Sequence, residues 1–264
     1  MSSTKERFKT LRLPSGVEAK VPADLDLRLP ETASVDRSLL QRLIFIPWDD
    51  KYLARVPADY RRFFDAVLPY LHVRTTDVHV ATCLPFAAEL IRQDPGKVDA
   101  RVVHLAFILH DTGWSQMSEE EIADSLGVEG SALSGAAVGP KERHVELGRA
   151  VAERVLKEHP PEPPVTDDQR EMIFQAILYH DKPAKLAAMG ELPASVRVVC
   201  DVDHLWSFTR ENFWQDTVRK GVDPTAYVKN LGEDLEGYFV AEPGRNKARQ
   251  MLEQRRLEVE AWEE

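Results

Sequence analysis

From about residue 36 onward, apolar residues recur at spacings of three and four. This period places them on one face of successive helices. Nine segments carry it: "SVDRSLLQRLIF", "ADYRRFFDAVLPYL", "DVHVATCLPFAAELIRQ", "VDARVVHLAFILHD", "KERHVELGRAVAERVLKE", "TDDQREMIFQAILYHD", "PASVRVVCDVDHLWSFTRENFW", "PTAYVKNLGEDLEGYF" and "GRNKARQMLEQRRLEVEAWEE". No alternating strand series stands out, and the short β-branched run "VRVVCDV" is flanked by helical pattern on both sides, so an all-α fold is expected. Residues 1–35 are polar and punctuated by proline and read as an extended N-terminal arm. Residues 36–215 then form the helical core, and residues 216–264 are helices packed on it. The glycine-rich stretch "VEGSALSGAAVGP" over 128–140 breaks the pattern and reads as a mobile loop between two core helices.

Composition narrows the function more than the fold. The 264 residues include five Trp and ten Phe, ample for a buried core. A net charge of -10 disfavours a binder of nucleic acid or anionic membranes. An anionic substrate would then need a local cation, most simply a metal ion. Cys83 and Cys200 each sit in an apolar stretch and read as buried free thiols. No signal-peptide-like run or membrane span is evident, so the expected location is cytoplasmic and the expected ligand is a small anionic or polar molecule.

Candidate chemistry lies in the histidines. His79, His110, His144 and His180 fall on four different helices, each near an end of its apolar face, and Asp111 follows His110 directly. Burying so many polar groups separately would require a partner for each, whereas one metal centre satisfies them together. Imidazole and carboxylate suit Fe, Mn, Zn, Co or Ni. Neighbouring helix residues point about 100° apart. His110 and Asp111 can therefore meet one ion only at a helix end, from which a carboxylate can reach a second ion. "CDVDH" offers Asp201 and Asp203 as further carboxylates. His104 reads as a core residue, and His72, His159 and His204 sit in polar or proline-rich text.

His79 in "TDVHVATCLPFAAEL", His110 and Asp111 in "LAFILHDTG", and Asp203 in "VVCDVDHLWSF" resemble the signature of the HD-domain metalloproteins. That family carries a His, a His-Asp doublet and a distant Asp on a helical bundle, with about thirty residues to the doublet and about ninety to the last Asp. The resemblance covers roughly residues 70–215 and favours Asp203, within a "DxDxL"-like string, as the ligand. Asp201 is left to cap a helix or support the centre. His144, with its "H-x3-G-x3-A" spacing, and His180 resemble the extra ligands of the two-metal branch.

The resemblance implies that His79, His110, Asp111 and Asp203 hold one ion, and that His144 and His180 hold the second across a bridging Asp111. Two divalent ions are implied, iron foremost. The implied activity is a phosphohydrolase acting on a phosphomonoester, nucleotide or cyclic nucleotide, with His110 and Asp111 at the reacting centre. The alternative is a mixed-valence di-iron oxygenase cleaving a C–C or C–P bond, and a third class is a non-enzymatic scaffold. Lys141, Arg143, Lys182, Lys185 and Arg210 are candidate substrate contacts. Trp114, where relatives tend to carry Lys or His, is a candidate aromatic wall. The final acidic helix is a candidate contact to a second subunit.

Overall fold

The computed structural model describes residues 7–31, 35–36, 39–94, 96–125, 139–190 and 192–263. Twelve α-helices and one two-stranded sheet make up the regular structure of these residues. The class is all-α, as the periodicity predicts, and the loop expected over 128–140 falls almost wholly outside the described residues.

The N-terminal segment is more structured than an extended arm. β1 (Phe8–Arg12) pairs antiparallel with β2 (Glu18–Pro22), in a register that sets Phe8 opposite Pro22 and Arg12 opposite Glu18. Gly16 turns the chain at φ +85°, a conformation open to glycine without a Cβ penalty. Five-residue strands are too short for an alternating pattern to rise above the surrounding polar text. Leu13, Val21, Leu25 and Leu27 are buried, so the segment belongs to the core.

A second departure follows at once. The helix expected over "SVDRSLLQRLIF" is, among its described residues, a single 3-10 turn at Leu40–Leu43. Beyond it Arg28 and Phe45 exchange backbone hydrogen bonds of 2.9 Å in both directions, with Ile44 and Ile46 buried on either side. Alternate β-branched residues beside a free backbone edge gain more from pairing than from another turn of helix.

The remaining helices are α1 (Asp50–Leu53), α2 (Arg61–Val67), α3 (Thr76–Ile91), α4 (Ala100–Leu109), α5 (Glu119–Ser125), α6 (Pro140–Glu158), α7 (Asp167–Tyr179), α8 (Pro183–Ala188), α9 (Ala194–Leu205), α10 (Arg210–Lys220), α11 (Pro224–Tyr238) and α12 (Glu242–Glu263). Local chemistry sets their starts. Asp99 caps α4 by accepting from the N–H groups of Arg101 and Val102 at 2.9 and 3.1 Å, and Thr166 with Gln169 forms a reciprocal capping box on α7.

The segment expected as one helix from 193 to 214 is two. A 3-10 turn at Trp206–Phe208 ends α9, and Thr209 caps α10 through its bond from Asn212 N–H. The core is continuous: α3, α4, α7 and α9 pack on one another, α6 lies against the 3-10 turn Thr112–Gln116, and α11 and α12 close the bundle over α9. Cys83 and Cys200 are buried and free, as their apolar surroundings suggest. Among the described residues no helix is long and apolar enough to cross a membrane.

Candidate metal centre

Five helices converge on one point. His79 lies in the first turn of α3, His110 and Asp111 follow the last residue of α4, His144 points in from α6, His180 follows α7, and Asp203 comes from α9. The doublet lies at a helix end, as one shared ion requires. Gly113 permits it: a Cβ there would lie 1.9 Å from the His144 carbonyl oxygen and 2.5 Å from the Gly148 nitrogen. Gly148 faces the same crossing, where a Cβ would meet the His110 carbonyl oxygen at 3.2 Å. The glycines of "HDTG" and "H-x3-G" thus let α6 approach the doublet closely enough for His144 to share its site.

The distances divide around Asp111. Its Oδ2 lies 3.4 Å from His79 Nδ1 and 3.5 Å from His110 Nε2. Its Oδ1 lies 3.5 Å from His144 Nε2 and 3.6 Å from His180 Nε2. Asp203 Oδ1 completes the first group, 3.4 Å from His79 Nε2 and 3.2 Å from His110 Nε2. His144 and His180 approach through their Nε2 atoms at 3.2 Å. Within each of the two groups, one ligand atom per residue falls within 4.8 Å of the others.

Backbone carbonyls fix the ring orientations. His110 Nδ1 donates to the Phe107 carbonyl and His180 Nδ1 to the Ile177 carbonyl, each at 2.7 Å. In the neutral ring each Nε2 is then a bare lone pair, facing carboxylate oxygens or another imidazole. His79 Nε2 is buried with no hydrogen-bond partner. Such a collection of acceptors calls for a cation at its centre, and the residues fit a divalent metal.

Charge follows the same logic. Burial alone would raise Asp111 and Asp203, but the surrounding imidazoles, His110 foremost, hold both carboxyls below the usual range. Burial lowers His79, and burial with the neighbouring His180 lowers His144 to about 3. His180 is itself disfavoured as a cation by burial, yet Asp111 and Asp203 raise it to about 9.

Trp114 is buried and donates from Nε1 to Asp111 Oδ1 at 3.0 Å. One face stacks on His144 at 4.2 Å, and the Arg74 guanidinium lies 3.8 Å over the ring. Separations this small require opposite faces, so both faces of the indole are covered even though Trp114 borders the cavity over the centre. Trp206 stacks on His79 at 4.9 Å.

A cavity of about 790 Å³ opens on the centre. Of the cations expected to meet substrate, Lys141 lines it, while Arg143, Lys182, Lys185 and Arg210 do not. Arg143 pairs with Glu121, Lys185 lies over the Tyr179 ring, and Arg210 is held by Asp24 and Glu258. Nearness in sequence to a ligand says little about a side chain that leaves the opposite face of its helix.

Sequence reasoning passed over Arg74, Asp181, Lys220 and Tyr227, all in the cavity wall, and gave His204 no role although it lines the wall too. Only the adjacency of Asp181 and His204 to ligands carried a signal for them. His104 stacks on Tyr60 at 4.6 Å and donates to the Ala100 carbonyl, a core role as expected. Asp201 takes the helix-capping alternative. It accepts from Val240 N–H at 2.6 Å and Ala241 N–H at 3.1 Å at the start of α12, and burial raises its carboxyl to about 7.

A helical bundle that gathers a His, a His-Asp doublet and a distal Asp at one point defines an α-helical scaffold for a His/Asp metal centre. Residues 77–206 match the family described as HD domain, and through this segment the chain belongs to the HD-domain superfamily. No curated protein and no solved structure matches the chain.

Proposed function

We propose that the chain is a metal-dependent phosphohydrolase whose His/Asp centre holds two divalent ions. The observation that carries the reading is the division of Asp111, whose Oδ2 faces His79 and His110 while its Oδ1 faces His144 and His180. On this reading His79, His110, Asp111 and Asp203 would hold one ion, and Asp111, His144 and His180 would hold the second. Bound divalent ions would supply a water acidified toward neutrality and a Lewis acid for a phosphoryl oxygen.

The protein's own groups do the positioning. Phe107 and Ile177 carbonyls fix the His110 and His180 tautomers, and the Trp114 N–H holds Asp111 with its two oxygens facing the two groups of imidazoles. The HD-domain family as a whole supports hydrolysis of phosphate esters, and the cavity admits a small ester at the centre. Imidazole and carboxylate suit iron, manganese, zinc, cobalt and nickel alike.

The test is metal content per chain after purification without added metal, with EPR and Mössbauer spectra before and after partial reduction, followed by a phosphomonoester and nucleotide panel. Two ions and metal-dependent phosphate release, abolished in Asp111→Asn, support the proposal. Two irons with a mixed-valence signal and no phosphate release would replace it with the di-iron oxygenase reading. No metal, and none taken up on reconstitution, would sink both.

A further inference from the structure

Just before α3 the backbone is strained. Arg74 and Thr75 have φ of +57° and +70°, a left-handed conformation that is strained for a non-glycine residue and least suited to a β-branched one. Buried partners hold it there. Gln215 Nε2 donates to Thr75 Oγ1 at 2.7 Å and Ile46 N–H donates to the same oxygen at 3.1 Å. Arg219 donates to the Arg74 carbonyl at 3.2 Å and to the Ile44 carbonyl at 2.7 Å.

What this arrangement delivers is the Arg74 side chain. Its guanidinium lies over Trp114 and lines the cavity. Nε is buried without a partner, and the guanidinium makes no hydrogen bond or ion pair among the described residues. The other cavity cations are engaged: Lys220 with Asp216 at 2.8 Å, Lys141 with Asp181 at 3.4 Å, and Arg219 with backbone carbonyls. Arg74 is partly exposed, so its terminal N–H groups can reach an incoming ligand, while the Nε N–H is buried with no acceptor, which is costly. Through Trp114 the same cation is one ring away from Asp111.

We propose that Arg74 is a substrate-binding residue that receives an oxyanion, the phosphoryl group of a phosphate ester, beside the His/Asp centre. The inference rests on the phosphohydrolase reading and deepens it. The planar fork takes two non-bridging oxygens at once, which a lysine cannot do, and stacking on Trp114 fixes the fork before substrate arrives.

The test uses metal-loaded full-length protein and inorganic phosphate as the probe. Arg74→Gln is expected to keep wild-type metal content and to bind phosphate about 10- to 100-fold more weakly by calorimetry, with Arg74→Lys intermediate. Equal phosphate affinity in Arg74→Gln and wild type, at equal metal content, overturns the proposal.

A second measurement needs no variant. Phenylglyoxal labelling of wild type, read by mass spectrometry, should show Arg74 protected by saturating phosphate and Arg143 unprotected. Arg74 labelling unchanged by bound phosphate overturns the proposal even where Arg74→Gln does not fold. Protein that never takes up metal sinks the metal-dependent reading instead, which the metal assay detects separately.

Discussion

Asp111 and its neighbours show how single residues make the centre. Its two oxygens serve two sets of imidazoles, and the indole N–H of Trp114 donates to Oδ1, the oxygen that faces His144 and His180. Replacing that indole in Trp114→Phe keeps an aromatic ring against His144 but removes the hydrogen bond. Metal affinity or activity is expected to fall about 10- to 100-fold, as for other outer partners of metal ligands, with the fold retained by circular dichroism. Unchanged metal affinity would show that the rotamer is set by packing alone.

Gly113 is a harder constraint. A methyl group 1.9 Å from the His144 carbonyl oxygen cannot be accommodated without moving α6. Gly113→Ala is therefore expected to cost more than about 2 kcal/mol in denaturant unfolding and to reduce metal content as well. A variant with wild-type stability would mean that α6 can yield at this crossing.

At the scale of elements, junctions matter more than helix interiors. Asp216 of α10 bonds Tyr227 of α11 at 2.8 Å and Lys220 at 2.8 Å. Burial pushes its carboxyl up, but Lys220 and Arg219 prevail and hold it below its ordinary value. A carboxyl lower in the folded than in the unfolded state stabilises the fold above its unfolded value of about 4. That stability is lost as the pH falls through the folded value. Asp216→Asn should thus be less stable than wild type at pH 7, with the gap narrowing below pH ~4. A gap independent of pH would assign the effect to lost packing.

The junction of α9 with α12 is equally specific. Asp201 caps α12 from another helix, and a Cβ at Gly244 would fall 2.7 Å from Asp201 Oδ2. Gly244→Ala is expected to displace the carboxylate and lower stability by about 1–2 kcal/mol, the usual size of a lost cap, while the metal content stays at the wild-type level. Loss of metal in this variant would show that α12 supports the centre through α9.

For the whole molecule, the centre ties together helices distant in sequence. Ligand-bearing ends of α3, α4, α6, α7 and α9 meet where carboxylates and lone pairs face one another. Metal bound at a thousand times its dissociation constant adds about 4 kcal/mol. For a chain of this size each kcal/mol moves the melting temperature by about 2–4 °C. Chelation is therefore expected to lower it by roughly 8–16 °C, reversibly on adding metal back. A melting curve indifferent to chelation would separate the fold from the centre.

The N-terminal hairpin joins the same body. Trp262 Nε1 donates to the Lys20 carbonyl at 2.9 Å, and Phe8 packs on Trp214 at 5.9 Å. The hairpin thus packs against α10 and α12 through these residues.

The sequence by itself determined the helical class, the free buried cysteines, and a set of His and Asp residues too numerous to bury singly. Apolar period and ligand type are local properties, legible wherever a pattern runs for several turns. The hairpin, the 3-10 turn at Leu40–Leu43 and the break between α9 and α10 are set by what lies across from them, and no local pattern records that. The same holds within the site. His79, His110 and Asp203 can be read from spacing, but Trp114 as an occupied ring and Arg74 as an unpartnered cation depend on which helix faces meet. Residues 74 and 114 come together because the turn after α4 lies against the strained entry to α3, a long-range contact that only the folded chain brings about.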